Sequence, residues 1–173
     1  MDINNYIKNI FQIKSLDEFN NYALQLFRYQ YNFNVLYREY VNLLGCEISK
    51  IKNYQSIPFL PIDFFRNNKV TTHQKKHEAV FFSSGSTNSL RSKHYVFNTD
   101  IYVKSLISSF NFFFKDPKLY TILCMVPSFK KNPNSSLAFM CNQMITKSKN
   151  KKSGFYLNKK EKLKSVIKNC EQK

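Results

Sequence analysis

A loop rich in serine, threonine and glycine holds the residue types in this chain best suited to chemistry. It follows the apolar run of residues 79–82 and consists of Ser83, Ser84, Gly85, Ser86, Thr87, Asn88 and Ser89. Backbone N–H groups and hydroxyls at the end of a strand can converge on one anion, and the glycine lets the backbone approach that anion closely. The loop is therefore a candidate phosphate site, while a plain structural turn fits the same residue types.

The common nucleotide and metal motifs are absent from the sequence. Neither GxxxxGK[ST] nor GxGxxG occurs. His73 and His77 are four residues apart beside Glu78, and on a helix two such imidazoles can share a metal. Lys75 and Lys76 oppose that reading, and no third ligand is evident. We predict a polar loop there and no metal site.

The sequence predicts helices at the amino-terminal end, followed by strands that alternate with further helices. Ser15 and Glu18 form a capping-box pattern before a first amphipathic helix, and a second begins near Asn32 and ends at Gly45. Short apolar runs then predict strands at residues 79–82, 94–97, 120–126 and 154–157. Helical patterns lie between them, one from Asn98 or Thr99 to about Phe114 and one from Asn134 or Ser135 through Met144. The alternation predicts an α/β fold with a mainly parallel sheet.

The chain length and charge distribution predict one domain with a basic end. The 173 residues divide into a helical segment at 1–50, an α/β part at 51–158 and a basic terminal helix at 159–173. The net charge is +16, and the dense lysines are Lys147 to Lys152 and then Lys159, Lys160, Lys162, Lys164 and Lys168. A solvated helix face is favoured over a nucleic-acid site there, and a basic polyanion-binding module remains the alternative function. A membrane-surface role is weaker, because no strongly apolar face opposes those lysines.

Other features of the sequence bear on where the protein resides. No run of about 20 apolar residues could span a bilayer, and residues 1–14 lack the apolar block of a signal peptide. The four cysteines are Cys46, Cys124, Cys141 and Cys170, which are too far apart in sequence to suggest a CxxC pair or a disulfide framework. We expect a cytoplasmic protein with reduced thiols.

Four segments, in order along the chain, resemble one known family. The sequence FSSGSTNSLRSKH at residues 82–94 resembles the SSGTTG-x-x-S-[RK]-H phosphate loop of acyl-protein synthetases, and IPFLPIDFF at residues 57–65 is similar to their IPFLPI-x-FF element. VPSF at residues 126–129 with NSSL at 134–137, and SGFYL at 153–157, resemble two further segments. These proteins belong to the acyl-adenylate-forming ligases, and the resemblance implies the amino-terminal portion of that fold.

The resemblance also implies a reaction and its participants. Family members attack the α-phosphate of Mg²⁺-bound ATP with a fatty carboxylate, release pyrophosphate, and pass the acyl group to a protein or thiol acceptor. In this reading the phosphate is bound by Ser83, Ser84, Gly85, Ser86, Thr87, Asn88 and Lys93, with Arg91 adding charge. Ser86 replaces the family's usual Thr and keeps its hydroxyl. Asn88 replaces a usual Gly, and its side chain could obstruct the β- and γ-phosphates.

The same resemblance implies possible substrate-pocket residues, and it includes family motifs that have no counterpart in this sequence. His94 can orient a substrate oxygen or satisfy a backbone carbonyl. Ser128, Ser135 and Ser136 are possible substrate-pocket residues, although turn and helix-cap roles are favoured because no GxSxG elbow is present. The family's adenine motif, ribose-binding Asp and catalytic lysine correspond to positions beyond Lys173. We therefore expect either a complementing C-terminal polypeptide or a truncated remnant that is inactive alone.

Overall fold

The structure is a computed structural model that describes residues 1–72, 76–84 and 91–171. It is a mixed α/β protein, and the chain divides into two compact units, Met1–Phe97 and Asn98–Lys173. Within the described residues each unit contains one two-stranded sheet. The first unit holds the helices α1 (Ile3–Asn9), α2 (Leu16–Phe33), α3 (Val35–Leu43) and α4 (Phe64–Asn67) and the strands β1 (Ala79–Phe82) and β2 (Lys93–Val96). The second holds α5 (Thr99–Phe114), β3 (Leu123–Cys124), α6 (Ser136–Ser148), β4 (Gly154–Phe155) and α7 (Lys160–Glu171).

Side-chain caps fix where the first unit's long helices begin. The predicted capping box is confirmed, since the Glu18 backbone N–H donates to Ser15 Oγ at 3.2 Å. The Glu18 carboxylate accepts a bond from the Lys14 backbone N–H at 2.7 Å, one residue before the usual partner. Asn34 alone joins α2 to α3: its N–H donates to the Gln30 carbonyl, and its side chain accepts from the Tyr37 N–H at 3.2 Å. It is buried and serves both helices.

The core of the first unit forms where α2 and α3 pack together. Its buried members are Leu24, Phe27, Tyr37, Val41 and Ile51. Val41 has no exposed surface, and the Phe27 and Tyr37 rings meet edge to face with centroids 6.2 Å apart. Beyond this core the chain leaves α3 through Gly45, whose φ of +66° is the left-handed conformation predicted for the helix end.

Two tyrosines of α3 attach the proline-containing segment to the helices. The Tyr37 hydroxyl donates to the Pro58 carbonyl at 2.8 Å, and the Tyr40 hydroxyl donates to the Phe59 carbonyl at 3.3 Å. Pro61 lies in the turn that leads into α4, where its carbonyl accepts from the Phe64 N–H at 3.1 Å.

The strands β1 and β2 pair antiparallel, with Phe81 opposite His94 and Phe82 opposite Lys93. This pairing departs from the predicted parallel arrangement, because only the ten residues 83–92 join the two strands and a parallel crossover needs a dozen or more. Phe81 and Val96 are buried on one face of the pair.

The second unit contains the parallel pair. β3 and β4 pair in parallel, with Leu123 opposite Gly154 and Cys124 opposite Phe155, and α6 lies between them in sequence. The strand predicted over residues 120–126 is reduced to two residues. One reason is that the Ile122 backbone N–H donates to the Ser153 hydroxyl oxygen at 2.9 Å and not to a strand carbonyl.

Helix positions in the second unit follow the predicted signals. Asn98 caps α5 by accepting from the Asp100 and Ile101 N–H groups, and the helix ends at Phe114 as expected. Ser135 caps α6, which continues past the predicted end at Met144 to Ser148. The structure shows no helix in its described residues that is long and apolar enough to cross a membrane.

Candidate functional site

The base of the serine-rich loop is closed by two hydrogen bonds between Ser83 and Ser92. The Ser83 backbone N–H donates to the Ser92 carbonyl at 3.0 Å, and the Ser92 N–H donates to Ser83 Oγ at 3.0 Å. Ser83 Oγ therefore acts as a hydrogen-bond acceptor within the protein. The predicted phosphate ligands Gly85, Ser86, Thr87 and Asn88 lie outside the described residues.

The described ends of the loop present a hydroxyl and two cations to solvent. Ser84 lies two residues after β1, Arg91 lies two residues before β2, and Lys93 is the first residue of β2; all three are exposed. Lys93 pairs with Phe82 in the strand register, which places its backbone at a defined position beside the loop. The two cations can supply positive charge to an anion bound within the loop.

An aromatic cavity of about 440 Å³ lies within the first unit. Its walls come from α2, from the first residues of α3, from the proline-containing segment with α4, and from β2. The volume falls in the range of small-ligand sites, about 300–1,000 Å³. The lining is mainly apolar and includes Phe19, Ala23, Leu26, Phe27, Tyr37, Tyr54, Ile57, Phe59, Leu60, Phe65, Val70, Tyr95 and Phe97.

Besides tyrosines, the polar residues in the cavity wall within the described part of the chain are Gln30, Asn34, Thr71, Thr72 and His94. The Asn34 side chain already caps α3. A mainly apolar cavity with few polar groups suits an apolar ligand that carries a polar end.

His94 connects the loop to this cavity. It ends the loop motif, sits opposite Phe81 in the strand pair, and lines the cavity. The residue as a whole is exposed, yet the protein atoms around the imidazole withdraw it from water and lower the pKa of His94 below its ordinary value. The ring is therefore neutral at pH 7, and it would gain a proton more readily if a carboxylate lay beside it.

The serines predicted as possible pocket residues belong to the second unit. Ser128 lies in a turn, where its carbonyl accepts from the Lys131 and Asn132 N–H groups. The Ser135 hydroxyl accepts from the Ala138 N–H at 3.1 Å as the cap of α6, and Ser136 is the first residue of that helix. For Ser135, these contacts match the cap role favoured from the sequence.

The basic terminal helix presents its lysines to solvent. Val166 of α7 is buried, whereas Lys160, Lys162, Lys164 and Lys168 are exposed. Lys164 pairs with Glu161 at 2.9 Å on the exposed surface. This is the arrangement of a solvated helix face.

The thiols and imidazoles show no sign of a metal centre in the described part of the chain. Burial, together with a hydrogen bond to Cys141, raises the pKa of Cys124 to about 12, which keeps this strand thiol protonated and unreactive. The His77 and Tyr95 rings meet edge to face with centroids 5.3 Å apart, while His73 lies outside the described residues. Among the described residues, no three His, Cys, Asp or Glu side chains are grouped to hold a metal ion.

Sequence reasoning missed the cavity, although it identified several residues that line it. The aromatic stripe of α2 predicts core residues, and the segment at residues 57–65 predicts a family-like element. No spacing rule indicates that they enclose one space with His94, because that depends on how the helices pack. Comparison of the chain with protein-family models, with curated proteins and with solved structures finds no match.

Proposed function

We propose that this chain is the amino-terminal, phosphate- and acyl-binding part of an ATP-dependent carboxylate-activating ligase, incomplete for catalysis alone. The observation that carries the proposal is the position of His94, which ends the phosphate-loop motif and also lines the aromatic cavity. Ile57, Phe59, Leu60 and Phe65, from the second family-like segment, line the same cavity. Two segments that resemble one family, separate in sequence, thus contribute to a single site.

The arrangement assigns a role to each part of the site. The apolar cavity holds the acyl chain, and His94 holds the carboxylate near the loop. One carboxylate oxygen attacks the α-phosphorus of ATP, the bond from that phosphorus to the bridging oxygen breaks, and pyrophosphate leaves with the bond electrons. The products are an acyl-adenylate and pyrophosphate. Hydrogen-bond donors of the loop, with Arg91 and Lys93, stabilise the charge on the departing group. Mg²⁺ bound with the nucleotide would neutralise part of the same charge.

The proposal also includes a partner polypeptide. The mainly parallel sheet of the ligase family would be assembled on the β3–β4 pair by strands from a complementing C-terminal polypeptide. That polypeptide would also bring the adenine-binding residues and the catalytic lysine. Transfer of the acyl group to a protein or thiol acceptor would require it.

Phosphate binding is tested directly with labelled pyrophosphate and ATP in equilibrium dialysis against residues 1–173. We expect binding by the natural chain and at least about a tenfold loss in the Ser84→Ala, Thr87→Ala double variant, because each hydrogen bond to a charged group contributes about 1.5–3 kcal/mol. Ser109→Ala, an exposed serine of α5, is the matched control. Equal binding by the double variant and the control would refute the loop assignment. Binding that falls steeply with salt and depends on Lys160 to Lys168 would favour the polyanion-binding alternative.

Acyl binding is tested by filling the cavity. Ala23 lines it from α2, and Ala23→Phe adds a ring to the space that an acyl chain would occupy. We expect displacement of a fluorescent fatty acid to be lost in this variant and retained in Leu43→Phe, where the added ring lies on an exposed site of α3. Retention of fatty-acid binding in folded Ala23→Phe would contradict the cavity's assigned role.

A further inference from the structure

The helix α5 is apolar but contributes no buried residue to the fold. Its sequence, TDIYVKSLISSFNFFF, is rich in isoleucine, leucine and phenylalanine, yet every residue is at least partly exposed. An ordinary surface helix buries its apolar stripe against the core of its own chain. From Ile101 to Phe110 the apolar side chains of α5 are partly buried, and the Tyr102 ring contacts Phe139 of α6. The uncovered apolar surface of α5 therefore lies mainly in its last turn.

The uncovered surface is most extensive at the carboxyl end of α5. Phe112, Phe113 and Phe114 are 83%, 74% and 54% exposed, and Leu119 just beyond them is 68% exposed. We call these four residues the phenylalanine tip. The Phe112 and Phe113 rings contact each other with centroids 4.9 Å apart, and Phe114 contacts Phe110 at 5.1 Å. Large exposed apolar patches mark surfaces that bind a protein or a membrane.

The three phenylalanines are attached at different positions around the helix, although the Phe112 and Phe113 rings contact each other. Successive residues of an α-helix are about 100° apart, so the attachment points of Phe112 to Phe114 span roughly 200° of its circumference. A helix bound in a protein groove presents one stripe, built from residues three and four apart. A tip that is apolar over more than half of its circumference suits a fluid apolar medium that can surround it.

The charge beside the tip favours an anionic surface. Lys115 and Lys118 follow the phenylalanines directly, and both are exposed. Lys118 makes an exposed contact with Asp116 at 3.7 Å, which lipid phosphates in the headgroup layer can replace. Asn98–Lys173 contains fifteen lysines against four acidic residues, a formal charge of +11. Each lysine near an anionic leaflet adds attraction that falls off within a Debye length.

We propose that the phenylalanine tip binds the surface of an anionic lipid bilayer. Its aromatic rings enter the boundary between headgroups and acyl chains, and Lys115 and Lys118 contact the phosphates. This is attachment to one leaflet and not a span. It brings the chain to the place where fatty acyl groups are most concentrated, but it rests on the second unit alone and holds whether or not the proposed ligase function is correct.

Vesicle co-sedimentation of the full chain tests the proposal. We expect binding to vesicles of phosphatidylcholine and phosphatidylserine in equal parts, and little binding to phosphatidylcholine alone. Phe112→Ser with Phe113→Ser should lower the partition coefficient on the order of 100-fold, because two side chains lose their burial in the interface. Lys115→Gln with Lys118→Gln should lower the partition coefficient on the order of tenfold, and added salt should also lower it.

Leu43→Ser is the matched control, since Leu43 is 87% exposed, the highest value among the large apolar side chains that the structure describes, and lies in the other unit. It should leave vesicle binding unchanged. The proposal is overturned if the phenylalanine variants, folded by circular dichroism, bind vesicles as well as the control does. It is also overturned if the natural chain does not bind vesicles but self-associates through Phe112 and Phe113 in sedimentation velocity. That result would make the phenylalanine tip a protein interface.

Discussion

The hydrogen bond from Tyr37 to the Pro58 carbonyl offers the sharpest test of how the cavity wall is held. Tyr37→Phe removes only the hydroxyl that donates at 2.8 Å, and it leaves a partly buried carbonyl without this partner. A typical bond contributes about 0.5–1.5 kcal/mol, and an unsatisfied buried acceptor costs about 1–3 kcal/mol. We therefore expect a loss of about 1.5 kcal/mol in the free energy of unfolding. Burial raises the pKa of Tyr37 to about 12, so the hydroxyl remains protonated and the loss should be the same at every pH used.

Tyr31→Phe provides a control of the same chemistry. The Tyr31 hydroxyl donates to Asn42 Oδ1, also at 2.8 Å, but in an exposed setting where water can replace the partner. Its removal should cost less than about 0.5 kcal/mol. Both values come from urea unfolding followed by far-UV circular dichroism, since the chain has no tryptophan.

Fatty-acid displacement gives a second measurement on the same variants. Loosening of Pro58 and the wall beside it should weaken ligand binding in Tyr37→Phe and not in Tyr31→Phe. A cost for Tyr31→Phe equal to or above that for Tyr37→Phe would refute the reasoning that burial decides the strength of this attachment.

Three further predictions follow from local geometry and charge. Lys115 has φ 64° and ψ −154°, a backbone conformation that suits glycine and strains other residues. Lys115→Gly should therefore raise the free energy of unfolding, measured by urea titration, by about 1 kcal/mol. A lower free energy of unfolding in this variant would contradict the inferred backbone strain. Ser135→Ala removes the α6 cap and should cost about 1 kcal/mol by the same assay, whereas no change would show that the cap is replaceable. Burial lowers the pKa of His94 in the folded chain, so the unfolded chain takes up a proton on this ring at a higher pH than the folded chain does. The folded state therefore keeps its full stability above about pH 6.5 and loses part of it as pH falls through the folded pKa. His94→Gln should flatten the pH dependence of the urea midpoint below that value, and an unchanged slope would reject the assignment.

Signals encoded locally in the chain predicted the helix boundaries well. Ser15, Asn98 and Ser135 cap helices through bonds to residues two or three positions ahead, which sequence spacing alone can indicate. Gly45 ends its helix for a similarly local reason. The end of α6 was missed because Thr146 and Ser148 interrupt the apolar pattern while remaining helical.

Pairing and packing depended on distant residues and were predicted less well. The two strands in residues 79–97 are joined by only ten residues, a spacing that favours the observed antiparallel pair and that the prediction of a mainly parallel sheet did not take into account. The extent of β3 depended on the Ser153 hydroxyl, 31 residues beyond Ile122. The cavity and the phenylalanine tip could not be predicted either, because apolar periodicity does not reveal whether another element covers the apolar face.

The joint at Asn34 also bears on the order in which the first unit folds. The ring contact between Phe27 and Tyr37 and the bond between Tyr31 and Asn42 connect residues only 10 and 11 positions apart. Contacts so close in sequence require little loop-closure entropy and form early, whereas the β3–β4 pair connects residues 31 positions apart. We expect α2 and α3 to form the folding nucleus, on which the Pro58 segment and then β1 and β2 assemble. The cavity would then be among the last features to close, since its walls include the late-arriving β2.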